Sequence, residues 1–131
     1  MSIDAIGNFL TIIRNGLMVS KPFVVAPYSK MNESIAQILK AEGFVRDVAV
    51  MQEAENRKQL KLFLKYVDGE SVIHELTRVS KPSLRKYSGA HNVKPVIGGL
   101  GISILTTNKG IITNQKAKEL GVGGEVICTV W

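Results

Sequence analysis

Gly101-Ile102-Ser103-Ile104-Leu105-Thr106-Thr107-Asn108-Lys109-Gly110-Ile111-Ile112-Thr113, continued by Asn114 to Leu120 and by Gly121-Val122-Gly123-Gly124-Glu125, is the stretch on which the rest of the chain turns. Its pattern predicts a strand, a tight polar turn, a short strand, one or two turns of helix, and a glycine loop feeding a final strand. Ile102 and Ile104 alternate with Ser103 and Leu105, as expected of a strand buried on one face and largely covered on the other. Asn108-Lys109-Gly110 supplies the turn, with Gly110 free to take positive φ. Thr113 is placed to cap the helix and Gly121 to end it. The turn gathers two hydroxyls, an amide, an ammonium and bare backbone, with no carboxylate inside it. A tip of that chemistry can donate to phosphates, ribose hydroxyls and base edges. It is equally the composition of an ordinary solvated hairpin turn.

Working outward, the amino-terminal segment reads as a helix capped by Asp4, with Ile6, Leu10, Ile13 and Leu17 on one face and Phe9 beside them. Arg14 and Asn15 project from its last turns. Phe23 to Ala26 is a short strand ended by Pro27. Ser29 then caps a second helix whose buried stripe is predicted to be Met31, Ile35, Ile38 and Leu39, with Gly43 as its stop. Phe44 to Met51 and Gln59 to Tyr66 follow as strands around a Glu53–Lys58 hairpin tip. In the second, Leu60, Leu62, Leu64 and Tyr66 face one way and Gln59, Lys61 and Lys65 the other. Val67-Asp68-Gly69-Glu70-Ser71 marks a domain boundary. Val72 to Ser80 reads as a strand stopped by Lys81-Pro82, and Ser83-Leu84-Arg85-Lys86 as a basic connection into Tyr87. Gly89 to Lys94 is a loop, and Gly98 to Gly101 a turn entering the deciding strand. The prediction is an α+β fold of two small domains. Residues 1–68 place two helices on a short sheet, and residues 69–131 form a mostly-β domain with one short helix.

Composition narrows the function. A chain of 131 residues with 45% hydrophobic and 21% charged residues has the make-up of a folded protein. No apolar run reaches the length of a bilayer span, and no signal region precedes the first helix. A lone cysteine, Cys128, excludes an internal disulfide framework and suits a reducing, intracellular compartment. The 17 Lys and Arg against 11 Asp and Glu give a formal net charge of +6. Residues 1–73 hold nine basic and eight acidic side chains, whereas residues 74–131 hold eight and three. A basic half of this kind attracts a polyanion, and without a long basic amphipathic helix the polyanion is nucleic acid rather than a membrane surface.

Catalytic readings fail. Gly99-Leu100-Gly101 precedes a strand instead of joining a strand to a helix, and it lacks the third glycine of a dinucleotide fingerprint. His74 and His91 have no nearby cysteine, so no metal site is expected and no cofactor is implied. Cys128 reads as a small buried hydrophobe. Glu125 is the only acid near the turn, and one carboxylate is not an acid/base pair. Tyr87 is either a partly buried strand tyrosine or an exposed ring for a base, next to three cations.

The frame of glycine, two residues, two aliphatics, Thr106-Thr107, two residues, Gly110, two aliphatics, then Ala117-Lys118 and Gly123-Gly124-Glu125 resembles the signature of the eighth protein of the small ribosomal subunit. Asp4 to Asn15, Pro27-Tyr28-Ser29-Lys30, Glu42-Gly43-Phe44, Val79-Ser80-Lys81-Pro82, Arg85-Lys86-Tyr87 and Trp131 fall in that family's order, so the resemblance covers essentially the whole chain. It departs at Ala5, where the family often has Pro, at Ile12, where it often has a basic residue, and at Thr106, where it usually has Ser. The resemblance implies a structural constituent of the 30S subunit that binds the central domain of 16S rRNA early in platform assembly. It implies neighbours in the fifth and twelfth small-subunit proteins, a cytoplasmic location in the ribosome, and repression of its own operon through the messenger; the absence of a transit segment favours a bacterial over an organellar ribosome. Thr106, Thr107 and Asn108 would bond within a distorted minor groove, with Gly110, Gly123 and Gly124 allowing close approach. Lys81, Arg85, Lys86 and Lys109 would neutralise phosphates, and Tyr87 would offer its ring. Glu125 would either accept from a base amino group or brace the neighbouring loop. Further contacts would come from Asp4, Arg14, Asn15, Ser29 and Lys30. The competing reading is a generic basic nucleic-acid-binding module that shares the fold.

Overall fold

The computed structural model describes residues 4–89 and 96–131. It divides into two compact units, Met1–Ile73 and His74–Trp131. The expected boundary at 68/69 falls in the Asp68-Gly69 turn, where both residues have positive φ. That turn joins two short paired strands, β4 (Tyr66–Val67) and β5 (Glu70–Ser71).

In the first unit, α1 (Ala5–Met18), β1 (Phe23–Pro27), α2 (Lys30–Ala41), β2 (Val45–Ala54) and β3 (Arg57–Leu64) follow in order. The sheet is antiparallel, with β3 between β1 and β2. The alternation seen in the sequence decides what is buried. Leu60, Leu62 and Leu64 lie inside with Val24 and Ala26 of β1. Phe9, Leu10 and Ile13 of α1 and Ile35, Ala36 and Leu39 of α2 complete this core. Truncating Leu62, fully buried on the middle strand, to Ala would cost about 2–5 kcal/mol. Two positions expected on the buried stripe of α2 differ: Ile38 is half-buried, and Asn32 takes the place expected of Met31. Met31 is 36% exposed, whereas Asn32 is buried. The observed stripe of Asn32, Ile35, Ala36 and Leu39 follows the three-four spacing, and Met31 lies on its flank. The strand ends also differ: β3 stops at Leu64, and Tyr66 belongs to β4, its hydroxyl donating to the Lys21 carbonyl at 2.6 Å.

The second unit is built around one long strand. It contains β6 (Leu76–Arg78), β7 (Tyr87–Ser88), a 3-10 turn (Val96–Gly99), β8 (Ile102–Thr107), β9 (Gly110–Thr113), α3 (Asn114–Leu120) and β10 (Gly124–Val130). The order in the sheet is β6-β10-β8-β9, and β7 also pairs with β10. Ile102 to Leu105 are all buried, so β8 is covered on both faces. Thr113 accepts from the Lys116 amide to start α3, and Gly121, in the left-handed region, ends it. The strand expected over Val72–Ser80 shortens to Leu76–Arg78. Before it, the His74 and Glu75 amides both donate to the Trp131 carbonyl, and the His74 ring packs 5.0 Å from the indole. Those bonds hold this segment without a continuous ladder. The loop expected over Gly89–Lys94, with His91 in it, lies outside the described residues beyond Gly89. The folded chain is therefore α+β, with two helices on a sheet and then a mostly-β unit with one short helix.

Candidate nucleic-acid interface

The register of β10 assembles the site. Gly124 stands opposite Thr107 of β8 and Ser88 of β7, and Glu125 stands opposite Thr106 and Tyr87. Directly paired residues project to the same side of a sheet, so Tyr87, Glu125 and Thr106 share one face. Two strand spacings, roughly 10 Å, separate the outer pair. At the end of this row the Asn108-Lys109 turn connects β8 to β9, closed by the pairing of Thr107 with Gly110. Gly110 has φ +99°, a conformation that a residue with a side chain adopts only under strain.

Each expected contact residue now has a place. Asn108, Lys109 and Gly110 are exposed at the tip, and Thr106 and Thr107 are half-buried. The Thr107 hydroxyl is already engaged: it donates to the Gly110 carbonyl at 2.9 Å and accepts from the Lys109 amide at 3.0 Å. It sets the shape of the turn. Gly124 is required by the protein itself, because a Cβ there would collide with the Thr106 carbonyl oxygen, and one on Gly123 would collide with that of Ser88. These two glycines let β10 lie close between its neighbours. Tyr87 is 73% exposed, which removes the buried-tyrosine alternative. Lys81, Arg85 and Lys86 are exposed on the same connection, which is pinched by paired backbone bonds between Lys81 and Leu84.

Glu125 braces that connection through side chains. One of its carboxylate oxygens accepts from the Ser80 hydroxyl and, at 3.0 Å, from the Arg85 guanidinium. The Ser80 hydroxyl in turn accepts from the Lys86 amide at 3.1 Å, and Arg78 donates to the Ser80 carbonyl. The hydrogen bond from Ser80, followed by that from Arg85 and by the charges of Arg85 and Arg78, holds the Glu125 carboxyl below its ordinary value of 4.5 against partial desolvation. Ser80, almost wholly buried, is the hub that sequence reasoning did not single out. Its signals were its place before Lys81-Pro82, where the strand stops, and its membership of the Val79–Pro82 segment of the resemblance, neither of which assigns it a role. The network fixes Arg85, Lys86 and Tyr87 on a basic ridge beside the turn. Among the described residues, Lys81, Lys86 and Lys109 have no carboxylate partner.

The family described as Ribosomal protein S8 matches residues 4–131. The chain belongs to that family. Relatives named "Small ribosomal subunit protein uS8" span its length. That of Marinobacter nauticus is 48% identical over 128 residues, covering 98% of this chain and 97% of its own. Those of Burkholderia lata and Buchnera aphidicola subsp. Cinara cedri are 49% and 43% identical, each covering 97% of this chain and 96% of its own. The S8 family consists of ribosomal structural proteins and not of enzymes.

The remaining contact candidates of this S8 chain belong to the first unit. Asp4 accepts from the Gly7 amide as the cap of α1, and Ser29 from the Asn32 amide as the cap of α2, both at 3.0 Å. Each therefore has a structural task of its own. Arg14 is half-buried and Asn15 exposed near the end of α1, and Lys30 is exposed at the start of α2. Cys128 is fully buried on β10. Among the described residues no group of His, Cys, Asp and Glu could hold a metal ion, and no helix is long and apolar enough to cross a membrane.

Proposed function

We propose that this S8-family protein, a structural constituent of the small ribosomal subunit, binds the central domain of 16S rRNA through the row of Tyr87, Glu125 and Thr106 and the adjoining Thr107–Gly110 turn. The observation that carries the reading is the β10 register, which brings residues distant in sequence to one face of one sheet beside exposed cations. The RNA partner is an irregular helix whose shallow minor groove exposes ribose hydroxyls and displaced bases, since a regular A-form major groove is too narrow for side chains to read. Thr106 and Asn108 supply groove hydrogen bonds, and Thr107 holds the turn in shape. Gly110 permits close backbone approach, and Gly123 and Gly124 keep the neighbouring strands compact. Lys81, Arg85, Lys86 and Lys109 meet phosphates, Tyr87 stacks, and Glu125 sets the position of Arg85 and of the Lys86 amide.

Residues 69–131 act as the RNA-binding domain, with 1–68 as the second domain contributing contacts through Asp4, Arg14, Asn15, Ser29 and Lys30. In the ribosome the protein adjoins the fifth and twelfth small-subunit proteins, takes part in early platform assembly in the bacterial cytoplasm, and represses its own operon by binding a messenger mimic of the rRNA site. The test compares binding of a central-domain rRNA helix carrying its internal loop with a regular duplex of equal length. A preference of about a hundredfold, or roughly 2.7 kcal/mol, is expected and should collapse in Thr106→Ala/Asn108→Ala. Retention of the full preference in that variant would remove the turn from the recognition surface.

A further inference from the structure

Among the described residues of the first unit, α1 and α2 cover the side of the β1–β3–β2 sheet formed by Leu60, Leu62 and Leu64 and neither lies on the outward face. Here Phe23 pairs with Phe63 and Val25 with Lys61. The two rings lie 6.2 Å apart at 55°. The Lys61 ammonium sits over both, 4.0 Å from the Phe23 centroid and 5.1 Å from that of Phe63. The Arg46 guanidinium lies 5.3 Å from the Phe63 centroid. Arg46 reaches this ring from a register irregularity, because Val45 pairs with Leu64 and Asp47 with Phe63, leaving Arg46 as the extra residue. A bulge of this sort re-aims a side chain. Phe23 is 40% exposed and Val25 38%. The acid in the same row, Asp47, is held by Lys40 at 3.0 Å.

We infer that this face is a second RNA-contact surface, one that takes single-stranded RNA by stacking a base on Phe23 or Phe63 while Lys61 and Arg46 hold its phosphates. The argument is one of complementarity. The face offers rings and cations together, with Asp47, held by Lys40 and also in the field of Arg46, as the acid of this row, and a nucleotide is an anion that carries its own ring. A base stacked on an exposed aromatic is worth more than the exposed cation–π contact it displaces. The ammonium of Lys61 sits on a flexible stem and can swing from ring to phosphate. The surface lies in the first unit and does not depend on the turn at Thr107.

The test uses the full chain with a ten-nucleotide oligouridine containing 4-thiouridine, read by anisotropy and by mapping the photo-crosslinks. Cross-links to the β1 and β3 segments are expected. Affinity should fall about tenfold in Phe23→Leu/Phe63→Leu, which keeps the apolar bulk and removes the rings. It should fall again in Lys61→Gln. Unchanged affinity in the leucine variant, no measurable binding by the native chain, or cross-links confined to residues 81–88 and 106–110 would each overturn the inference. A photo-crosslinker at Val25 in assembled small subunits supplies the last arm. An adduct with RNA supports the inference, and one with protein alone overturns it in favour of a protein-docking face.

Discussion

Thr107 and Glu125 show how a residue of the candidate interface can act through its own protein. With its hydroxyl donating to Gly110 and accepting from Lys109, Thr107→Ala should lower stability by about 1 kcal/mol and weaken rRNA binding by loosening the turn, and Thr107→Ser should recover both. Loss of binding in the alanine variant with an unchanged melting temperature would instead make this hydroxyl a direct RNA ligand. Glu125 carries a pH signature. Its folded-state value is lowered, so its contribution to stability is fully present above the ordinary 4.5 and is lost as pH falls through the lower folded value. Glu125→Gln should therefore destabilise at neutral pH, and its deficit should shrink on acidification below that point. Thermal melts of the two proteins that run parallel across the acid range would contradict the assignment. The sequence marked Glu125 as the odd acid and left its role open. Its partners Ser80 and Arg85 stand 45 and 40 residues away, a pairing that only the folded sheet reveals.

Elements were legible wherever period and punctuation agreed. The alternation through Leu60, Leu62 and Leu64, and the Thr113 and Gly121 caps, correspond to β3 and α3 as found. The α2 stripe differs because Met31 and Asn32 are neighbours in sequence, about 100° apart around the helix, and polarity favours burying Met31. The chain instead buries the asparagine, whose Oδ1 has no hydrogen-bond partner. An unsatisfied buried acceptor costs about 1–3 kcal/mol. Asn32→Leu, close in size and free of that acceptor, should thus leave stability unchanged or raise it. A large fall in melting temperature would mean that the amide has a partner, such as a bound water. The strand expected over Val72–Ser80 was overread for a different reason: its amino-terminal half is held by bonds to Trp131 rather than by a ladder, and a sequence window carries no trace of so distant a partner. Gly124 makes the converse point, since its reason for being glycine is the Thr106 carbonyl across the strand. Gly124→Ala should separate β10 from β8 and impair folding and binding together; an alanine variant of native stability would refute that packing argument.

At the scale of the molecule, the charge asymmetry between residues 1–73 and 74–131 was plain from composition, and it bounds the salt response. If Lys81, Arg85, Lys86 and Lys109 meet phosphates, log affinity for rRNA should fall against log salt with a slope of roughly −3, at about 0.7 to 0.9 per phosphate. The preference for the irregular helix should persist across the series, because hydroxyl and backbone contacts release no counterions. A preference that decays with the slope would reduce the surface to a generic cationic one. What composition hid is the concentration of cations on the Phe23–Phe63 face, since the surrounding unit is nearly neutral as a whole. The sheet order also sets an order in time. β10 is synthesised after every strand it joins, yet it is the strand that aligns Tyr87, Glu125 and Thr106. The first unit, whose elements pair close in sequence, can fold while the chain is still emerging. The row of Tyr87, Glu125 and Thr106 therefore comes into being only after β10 has left the ribosome making it, later than the sheet of the first unit.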